Sequence, residues 1–396
     1  MTRESSGSRR TFLKGAGVAT AAALAGCTGG EDGENGGENG GETGNGDGGE
    51  GRSFDVGYGE FATTVSESEF PDDDLYIYCV QTGWSNWDAV MEAFEDEYGL
   101  ALHDDQRSSG EAVTHIQSNA QNPTHSAYNG GYSFGIDVMD DGFTQAYKPA
   151  NWDTVPEELK TEDGHLTATR QMTTAITYRP DIYEERGIEP PETWEDLKQP
   201  EIAQDLAFTP PHTANGLASA LSVNHAYGGD MDDLDPVIEY HEEIADHGAD
   251  FRRNVEGDFT SGEISTVVEY DYTGLHWKYN VDSIAEEEVD VVIPTAPEGG
   301  EGAMNVPYGY ALLEGAPNPG PAKLFMDFVL SLEAQEMFFD AFVRPIRADE
   351  LDQPDEFPDA SVYEEAEFAV DQLELVENQN AIMEELTDRS PLPGAQ

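Results

Sequence analysis

The stretch from Gln171 to Leu206 constrains the fold most, because it joins a strand to short helices through abrupt chain breaks. The β-branched residues and alanine at positions 173–177 are typical of a strand. Pro180 ends that strand, since proline offers no backbone donor. A short helix is predicted from Asp181 to Arg186, with Gly187 as its stop signal. We interpret the segment as the first crossing of the chain between two lobes.

A strand, a polar turn and a helix follow one another earlier in the chain. Asp74–Val80 is a nearly continuous apolar run, which predicts a buried parallel strand. Trp87–Tyr98 carries apolar residues at helical spacing, and Gly99 follows it as a stop signal. The turn leaves free backbone N–H groups at the helix N-terminus, where a ligand can bind. The candidate cleft residues of this turn are Gly83, Trp84, Ser85 and Asn86. Simple capping of the helix by a Ser or Asn side chain is the alternative.

Aromatic and acidic residues follow a later predicted strand. Ile264–Tyr270 is an apolar run, and Asp271 and Tyr272 come directly after it. Open α/β sheets bind ligands at the carboxyl ends of their strands. Aromatic faces beside a carboxylate suit an organic cation, through cation–π attraction and charge pairing. Tyr270 and Tyr272 alternatively suit ferric iron as phenolate ligands, or simply pack at the strand end.

The charge of the chain excludes one class of partner. Lys and Arg number 19 against 81 Asp and Glu, which gives a net charge of −62. Nucleic acid is therefore not an expected partner, because its phosphates need basic residues. The acids are spread along the whole chain, which favours a solvated surface tuned to high salt over a local field for cations. A single Asp or Glu is consequently weak evidence for a site.

The N-terminus indicates export and anchoring. Ser8–Lys14 (SRRTFLK) matches a twin-arginine export signal, and Gly15–Gly26 is a small apolar run. That run is shorter than the roughly 20 residues that span a bilayer, which is typical of a signal peptide. Leu24–Cys27 (LAGC) resembles a lipobox. We therefore predict a signal over residues 1–27, lipid attachment at Cys27 and a location on the extracellular face of the membrane.

The segment after the signal is dominated by Gly, Glu, Asn and Asp. It lacks the apolar surface needed to fold, so residues 28–70 are predicted to form a disordered tether. Cys79, in the first apolar strand, is expected to be a buried inert thiol.

Two further local predictions are a strand at Gly135–Met139 and one helical stretch from Glu364 to Leu386.

Two long segments carry a family resemblance. Tyr178–Glu201 (YRPDIYEERGIEPPETWEDLKQPE) is similar to a stretch of the extracellular solute-binding proteins of ABC importers, in the type II periplasmic-binding-protein class. Arg179 stands where that family usually has asparagine. Ile293–Arg347 resembles the C-terminal run of the family and is the most specific match. The resemblance covers about Leu75–Arg347. The class that this stretch resembles includes receptors for iron, thiamine, phosphonates and polyamines.

The resemblance implies an α/β fold with two lobes, in which mixed sheets flanked by helices enclose a ligand cleft. The implied layout is residues 71–170 for the first part of lobe 1, residues 171–296 for lobe 2, and residues 297–396 for the return to lobe 1 and the C-terminal helices. Such receptors capture a small molecule or ion and deliver it to membrane permease subunits. No catalysis and no cofactor are implied, and we expect a monomer.

The resemblance also implies further ligand loops. Ser109 and Gly110 match the second loop, although helix capping is a strong alternative there. The third loop precedes a helix, and its candidates are His212, Thr213 and Asn215. Tyr308, near the hinge, is expected to reach the cleft.

The favoured ligand at this stage is a small organic cation such as thiamine or a polyamine, because of Trp84, Tyr270, Asp271 and Tyr272. Ferric iron is the second choice, and an anion such as a phosphonate is the third. A secreted hydrolase is the rival class, but the sequence has no G-x-S-x-G or H-E-x-x-H motif.

Overall fold

The computed structural model describes residues 51–80 and 84–394. The predictions for the signal over residues 1–27, for Cys27 and for Gly83 therefore lie outside the described residues. The strands of the described part are β1 (Ser53–Val56), β2 (Thr63–Ser66), β3 (Leu75–Cys79), β4 (Leu102–Gln106), β5 (Ala127–Gly131), β6 (Thr144–Gln145), β7 (Thr167–Tyr178), β8 (Leu206–Phe208), β9 (Asp250–Phe251), β10 (Thr266–Tyr270), β11 (Asp290–Val292), β12 (Ala303–Leu313), β13 (Arg344–Pro345) and β14 (Glu367–Phe368). Its α-helices are α1 (Trp87–Tyr98), α2 (Ser109–Asn119), α3 (Tyr132–Asp140), α4 (Pro180–Arg186), α5 (Pro200–Ala203), α6 (Ala214–Ala226), α7 (Asp235–Ala245), α8 (Glu256–Ser261), α9 (Asp271–Asn280), α10 (Pro319–Val329), α11 (Leu332–Phe339), α12 (Ala360–Ala366) and α13 (Gln372–Arg389).

The main strands follow the order β4-β3-β5-β12-β7-β10-β8-β9. β3 is parallel to β4 and β5, and β8 is parallel to β9 and β10, whereas the pairs that β7 forms are antiparallel. Parallel neighbours direct their carboxyl ends to one edge of a sheet. The turns after β3, β4 and β5 therefore lie at one edge, and those after β8, β9 and β10 lie at another.

Strand β7 is long enough to pair with two different sets of strands and so joins two lobes. Its first part, Thr167–Thr173, pairs with β12, and its second part, Thr174–Tyr178, pairs with β10. We call β4-β3-β5-β12 with the first part of β7 the first sheet. The second part of β7 with β10, β8 and β9 is the second sheet. This two-lobed mixed α/β architecture confirms the predicted fold class.

The breaks that follow β7 lie where the sequence predicts them. The strand ends at Tyr178, and Pro180 begins α4, where its missing N–H costs no hydrogen bond. The helix ends at Gly187, whose φ of 69° is strained for residues with a side chain. Gly99 ends α1 in the same manner, with φ 75°. Both helix predictions are confirmed to within one residue.

Aromatic side chains fill the core on the outer face of the first sheet. The ring of Trp87 lies 5.6 Å from that of Phe325 and stacks on Phe338 at 6.1 Å. Phe94 contacts both Phe325 and Phe328. Burial of such rings supplies about 2–3 kcal/mol each. The amphipathic residues of α1, α10 and α11 are therefore structural, as predicted for the C-terminal aromatics.

The predicted strand at Gly135–Met139 is wrong, because these residues lie in α3. Tyr132, Gly135, Ile136 and Met139 repeat with the i, i+3, i+4, i+7 spacing of a helix. The five-residue window was too short to show this period. The neighbouring strand is β5, whose residues are all buried.

The single helical stretch predicted at Glu364–Leu386 is also wrong. α12 ends at Ala366, and β14 pairs with β12 before α13 begins. Phe368 is buried there by stacking on His225, with ring centroids 3.9 Å apart. Burial of this ring and the strand pairing outweigh the helix propensity of the acidic residues before it.

The predicted tether over residues 28–70 is too long at its C-terminal end. β1 and β2 form an antiparallel hairpin, and Val56 and Val65 are buried. The backbone N–H of Gly57 donates to the Oδ2 atom of Asp327 in α10 at 2.8 Å. The hairpin folds because it contributes apolar side chains to the core. The Gly/Glu-rich composition of the neighbouring sequence hides this signal.

Cys79 is a buried free thiol, as predicted, and burial raises its pKa to about 12. Within residues 51–80 and 84–394, no helix has both the length and the apolar character needed to span a bilayer.

Candidate ligand-binding cleft

Aromatic rings from the two sheets meet beside the crossing strands. The ring centroid of Trp84, after β3, lies 5.0 Å from that of Tyr272 and 5.2 Å from that of Tyr308. Tyr272 follows β10 of the second sheet, and Tyr270 lies 6.2 Å from it. The structure thus brings together four candidates from separate points of the sequence. We call Trp84, Tyr270, Tyr272 and Tyr308 the aromatic cluster.

Arg170, which the sequence analysis did not select, lies against the aromatic cluster and is fully buried. Its guanidinium carbon is 5.2 Å from the ring centroids of both Trp84 and Tyr308. The rings of Trp87 and Phe338 lie at 5.0 and 5.6 Å. Arg170 and Tyr308 are direct partners across β7 and β12, so their side chains leave the same face of the sheet.

The guanidinium group of Arg170 is only partly satisfied. Its Nη1 atom donates to Asn129 Oδ1 at 2.9 Å and to Thr169 Oγ1 at 3.2 Å. The Nε and Nη2 atoms, which form one edge of the group, have no hydrogen-bond partner in the described part of the chain. Burial lowers the pKa of Arg170 to about 10, so the group stays charged at neutral pH. One edge of a buried cation therefore lacks a hydrogen-bond acceptor in the described part of the chain.

Glu269 connects two loops of the second sheet. Its carboxylate accepts hydrogen bonds from Thr209 Oγ1 at 2.7 Å and from the side-chain amide of Asn215. Burial raises the pKa of Glu269, and these two donors oppose that change. Asn215 is a predicted ligand residue, and the structure shows that its amide nitrogen already has an internal partner. Thr213 caps α6 by accepting from the N–H of Gly216 at 3.0 Å.

Asp271 is buried and bonded to protein groups. Its Oδ1 atom accepts from the backbone N–H of Thr173 at 3.0 Å, and Oδ2 accepts from the hydroxyl of Tyr363 at 3.0 Å. The Nε atom of Arg344 lies 3.9 Å from the same Oδ2. Burial raises the pKa of Asp271 to about 6 although Arg344 opposes this. The carboxylate therefore holds the C-terminal segment against β7, and its role as a ligand stays a prediction.

Ser85 and Asn86 directly precede α1. Ser85 is fully buried, and its hydroxyl has no hydrogen-bond partner in the described residues. Asn86 adopts the left-handed conformation, with φ 56°, and makes no side-chain cap to α1. Its amide instead donates to the carbonyl of Met337 at 2.7 Å. The capping alternative is thus excluded for Asn86, and Ser85 offers an unused polar group beside Trp84.

In the second predicted ligand loop, the helix cap is formed by a residue other than Ser109. The side chain of Ser108, and not that of Ser109, caps α2, in a reciprocal arrangement with Glu111. Ser109 Oγ accepts from the backbone N–H of Gly131 at 3.0 Å. This bond ties the loop after β4 to the loop after β5. Ser109 and Gly131 both line a small cavity beside Tyr308, and a Cβ added at Gly110 would lie 3.6 Å from the ring of Phe134.

His212 is exposed, and its imidazole lies against the guanidinium group of Arg253. A ligand role for His212 stays a prediction.

Two cavities lie beside the aromatic cluster. A cavity of about 440 Å³ is lined by Trp84 and Tyr272, together with His276 and Asp340. A smaller one of about 50 Å³ is lined by Tyr308 with residues from the first turns of α2, α3 and α6. Both combine groups from the first and second sheets. The cluster therefore marks a cleft between the sheets that is largely closed.

Arg170 was missed although the sequence contains a signal for it. It stands in the strand TATRQMTTAITY, which is otherwise neutral and rich in β-branched residues. A charge inside a buried strand is costly without a partner. The sequence therefore shows that a charge lies in a buried strand. It does not show which groups surround that charge, because they come from distant segments of the chain.

Residues 131–368 match the family model described as bacterial extracellular solute-binding protein. The chain belongs to this family. Members are binding proteins, which agrees with a cleft between two sheets and with the resemblance found in the sequence. The family also places the solute-binding protein outside the cytoplasm.

Similar proteins support the fold of this solute-binding protein. An uncharacterized protein of Haemophilus influenzae is 23% identical over 273 residues, which cover 66% of this chain and 74% of that one. The structure of the periplasmic binding protein AfuA from Actinobacillus pleuropneumoniae, with fructose-6-phosphate bound, has a TM-score of 0.66 and 19% identity, and covers 81% of this chain and 100% of its own. The ferric binding protein from Campylobacter jejuni has a TM-score of 0.63 and 16% identity, with 78% and 98% covered. At these identities the two structures show the fold alone.

Proposed function

We propose that this protein is the solute receptor of an ABC importer and that its solute carries an anionic group bound by Arg170. The observation that carries the proposal is the free Nε–Nη2 edge of a fully buried guanidinium group at the seam of the two sheets. An unpaired buried charge costs several kcal/mol, and a bound anion offsets that cost. A carboxylate or phosphate fits such an edge with two parallel hydrogen bonds.

The composition of the chain strengthens this argument. With 81 acidic side chains available, a structural arginine in this chain has many possible partners. Arg344 is paired with Glu367, Arg179 with Asp181 and Arg186 with Asp205. Arg170 has no acidic partner in the described residues and is enclosed by rings and amides. Its position supports a partner that is not part of the chain.

The organic cation favoured from the sequence is less consistent with this site. Trp84 and Tyr272 line the larger cavity, where aromatic rings suit cation–π contact, but Trp84 already has the guanidinium group of Arg170 beside its ring. However, Asp271, the expected counter-charge, is occupied by Thr173 and Tyr363. A cation at the aromatic cluster also meets the positive charge of Arg170.

Ferric iron is a second candidate for the solute, and a specific observation favours it. The hydroxyl of Tyr270 is buried and has no hydrogen-bond partner in the described residues, and the ring of Tyr272 lies nearby. Burial raises the pKa of both phenols, which opposes phenolate formation unless a metal ion offsets it. The Campylobacter protein of the same fold is a ferric binding protein. Arg170 would then hold an accompanying anion.

The AfuA structure, with its sugar phosphate, supports a phosphorylated organic solute as the first compound to test. Its phosphate matches the free edge of Arg170, and its sugar ring suits stacking on Trp84. We expect such a solute to close the two sheets further on binding, because ligand contacts on both sheets favour the closed form.

Calorimetric titration in high salt tests the proposal. The panel is fructose 6-phosphate, fructose, inorganic phosphate, thiamine, spermidine and ferric ion with and without phosphate. We expect binding of the phosphorylated sugar and none of fructose, with Arg170→Gln weakening it by at least about 30-fold, or ~2 kcal/mol. Arg186→Gln, which removes a partly exposed ion pair away from the cleft, is the matched control. Tight binding of thiamine or spermidine that survives Arg170→Gln would reject the anion proposal.

Delivery and anchoring complete the proposal. We infer that the closed receptor docks on membrane permease subunits, as a monomer anchored through lipid at Cys27 after twin-arginine export. The export motif and the lipobox support this, and the predicted tether from Thr28 gives the receptor reach.

A further inference from the structure

The C-terminal helix runs from the first sheet to the second. We call residues 372–394, which comprise α13 and the segment after it, the strap. Near the start of α13, Val376 packs with Tyr132 and Ile136 of α3 in one apolar cluster. α3 directly follows β5, so this end of the strap is attached to the first sheet.

The other end of the strap is attached to elements of the second sheet. Arg389 pairs with Asp235 at the start of α7 at 2.5 Å. Ser390 Oγ lies 3.0 Å from Nδ1 of His241, also in α7. The backbone N–H of Phe251 in β9 donates to the carbonyl of Pro393 at 2.7 Å. An 18-residue helix is about 27 Å long, which is sufficient to cross the gap between two lobes.

The middle of the strap covers the smaller cavity of the cleft. Leu375, Gln379 and Met383 line it, together with Ser109 at the start of α2 and Ala214 at the start of α6. Gln379 is only 6% exposed. Gln379 is the one of these three strap residues with a polar side chain, so its amide is a hydrogen-bonding group at the cavity wall.

We propose that the strap is a gate of the solute site, with Gln379 as a polar contact for the solute. The proposal rests on the proposed function, because it concerns the same cleft. The matched family segment ends at residue 368, so the strap lies outside it. Because the strap is attached at both ends, the sheets separate only when its second-sheet end is released. It therefore favours the closed form and slows both entry and exit of solute.

Pulsed EPR distance measurements test the gate without any ligand. Spin labels at Asp96→Cys in α1 and Glu242→Cys in α7 occupy exposed positions on the two sides. We expect one narrow distance distribution in the intact chain. Deletion of residues 390–396, or Arg389→Ala with Ser390→Ala, should add a longer distance. Arg186→Ala, which removes another Arg–Asp pair beside the second sheet, should leave the distribution unchanged.

Unaltered distances in both strap variants, with the same melting temperature, would overturn the gate. A longer distance together with no binding of any compound in the panel would leave the gate standing and reject the proposed function. The two failures are thus distinguishable.

Gln379 is tested separately with fructose 6-phosphate. Gln379→Leu should weaken binding by about 5-fold or more, since a lost neutral hydrogen bond is worth roughly 1 kcal/mol. The distance distribution should not change. Equal affinity of the wild type and Gln379→Leu would reject the contact, and Asn380→Leu, at an exposed position of the same helix, is the control.

Discussion

Trp84 and Tyr272 lie in ring contact, with centroids 5.0 Å apart, although one follows β3 of the first sheet and the other follows β10 of the second. The contact therefore measures closure of the cleft directly. An opening motion about β7 and β12 must separate these two rings, whereas rings within one sheet stay together.

The first prediction concerns this contact. Trp84→Ala should weaken solute binding about tenfold, because the lost aromatic pair is worth roughly 0.5–1.5 kcal/mol beyond its buried area. Tyr76→Ala, which removes an exposed ring from β3, the strand before Trp84, should leave affinity unchanged. Calorimetric titration measures both. Equal losses in the two variants would indicate general damage to β3 and would contradict a binding role for Trp84.

The second prediction concerns Arg170 and stability. Arg170→Met should raise the melting temperature or leave it unchanged, since replacing an unpaired buried charge by an apolar side chain of similar length removes a desolvation cost. The same variant should lose solute binding. Calorimetric unfolding and titration measure the two effects. A variant that is much less stable than the wild type would show that Arg170 serves the fold.

The third prediction concerns pH and His241. Burial lowers the pKa of His241 to about 3, whereas an unfolded histidine has a pKa of about 6.5. The unfolded state therefore binds more protons between these values, and stability falls as the pH is lowered below about 6.5. At pH 5 the loss from this group is about 2 kcal/mol. Denaturant unfolding at pH 7 and 5 measures it.

His241→Phe provides the comparison, because the ring already packs against Phe208 and Phe251 and its Nε2 atom has no hydrogen-bond partner in the described residues. The variant should lose less stability between pH 7 and 5 than the wild type. The same pH dependence in both proteins would exclude His241 as the source.

The fourth prediction concerns salt. The net charge of −62 produces self-repulsion, which added salt screens over a distance of about 3 Å at 1 M against about 10 Å at 0.1 M. The melting temperature should therefore rise steadily from 0.1 to 2 M KCl. Equimolar sucrose, which does not screen charge, is the reference. A melting temperature that is independent of KCl would reject the interpretation of the acids as an adaptation to salt.

The fifth prediction concerns the anchor. The wild type, produced in a cell that exports through the twin-arginine system, should fractionate with membranes and carry a lipid on Cys27. Cys27→Ser should lose the lipid, and Arg9→Lys with Arg10→Lys should keep the protein inside the cell. Mass spectrometry of the N-terminal peptide and fractionation measure these effects. An unmodified Cys27 in the exported protein would reject the anchor.

The fold could be predicted from the sequence to a large extent, because its signals are local. Pro180 and Gly187 define α4, the helical spacing and Gly99 define α1, and the apolar run at Leu75–Cys79 defines β3. The errors occurred where a contact between distant residues decides which secondary structure forms. The hairpin at residues 53–66 depends on α10, and the break at Phe368 depends on β12.

The candidate site was predicted in part. The sequence selected Trp84, Tyr270, Tyr272 and Tyr308, which the structure brings together. The ligand role of Asp271 stays a prediction, and the sequence did not show that its carboxylate bonds to Thr173 and Tyr363. Whether a polar group is free depends on every group around it in space, and spacing along a chain does not contain that information.

The sequence by itself determined the alternation of strands and helices, the aromatic residues at strand ends and the acidic surface, since each follows from residue type and short-range periodicity. Only the tertiary structure decided that Arg170 is buried without an acidic partner and that the strap joins both sheets. These properties depend on burial and on contacts between residues far apart in the chain, because the cost of a charge is set by its surroundings and not by its neighbours in sequence.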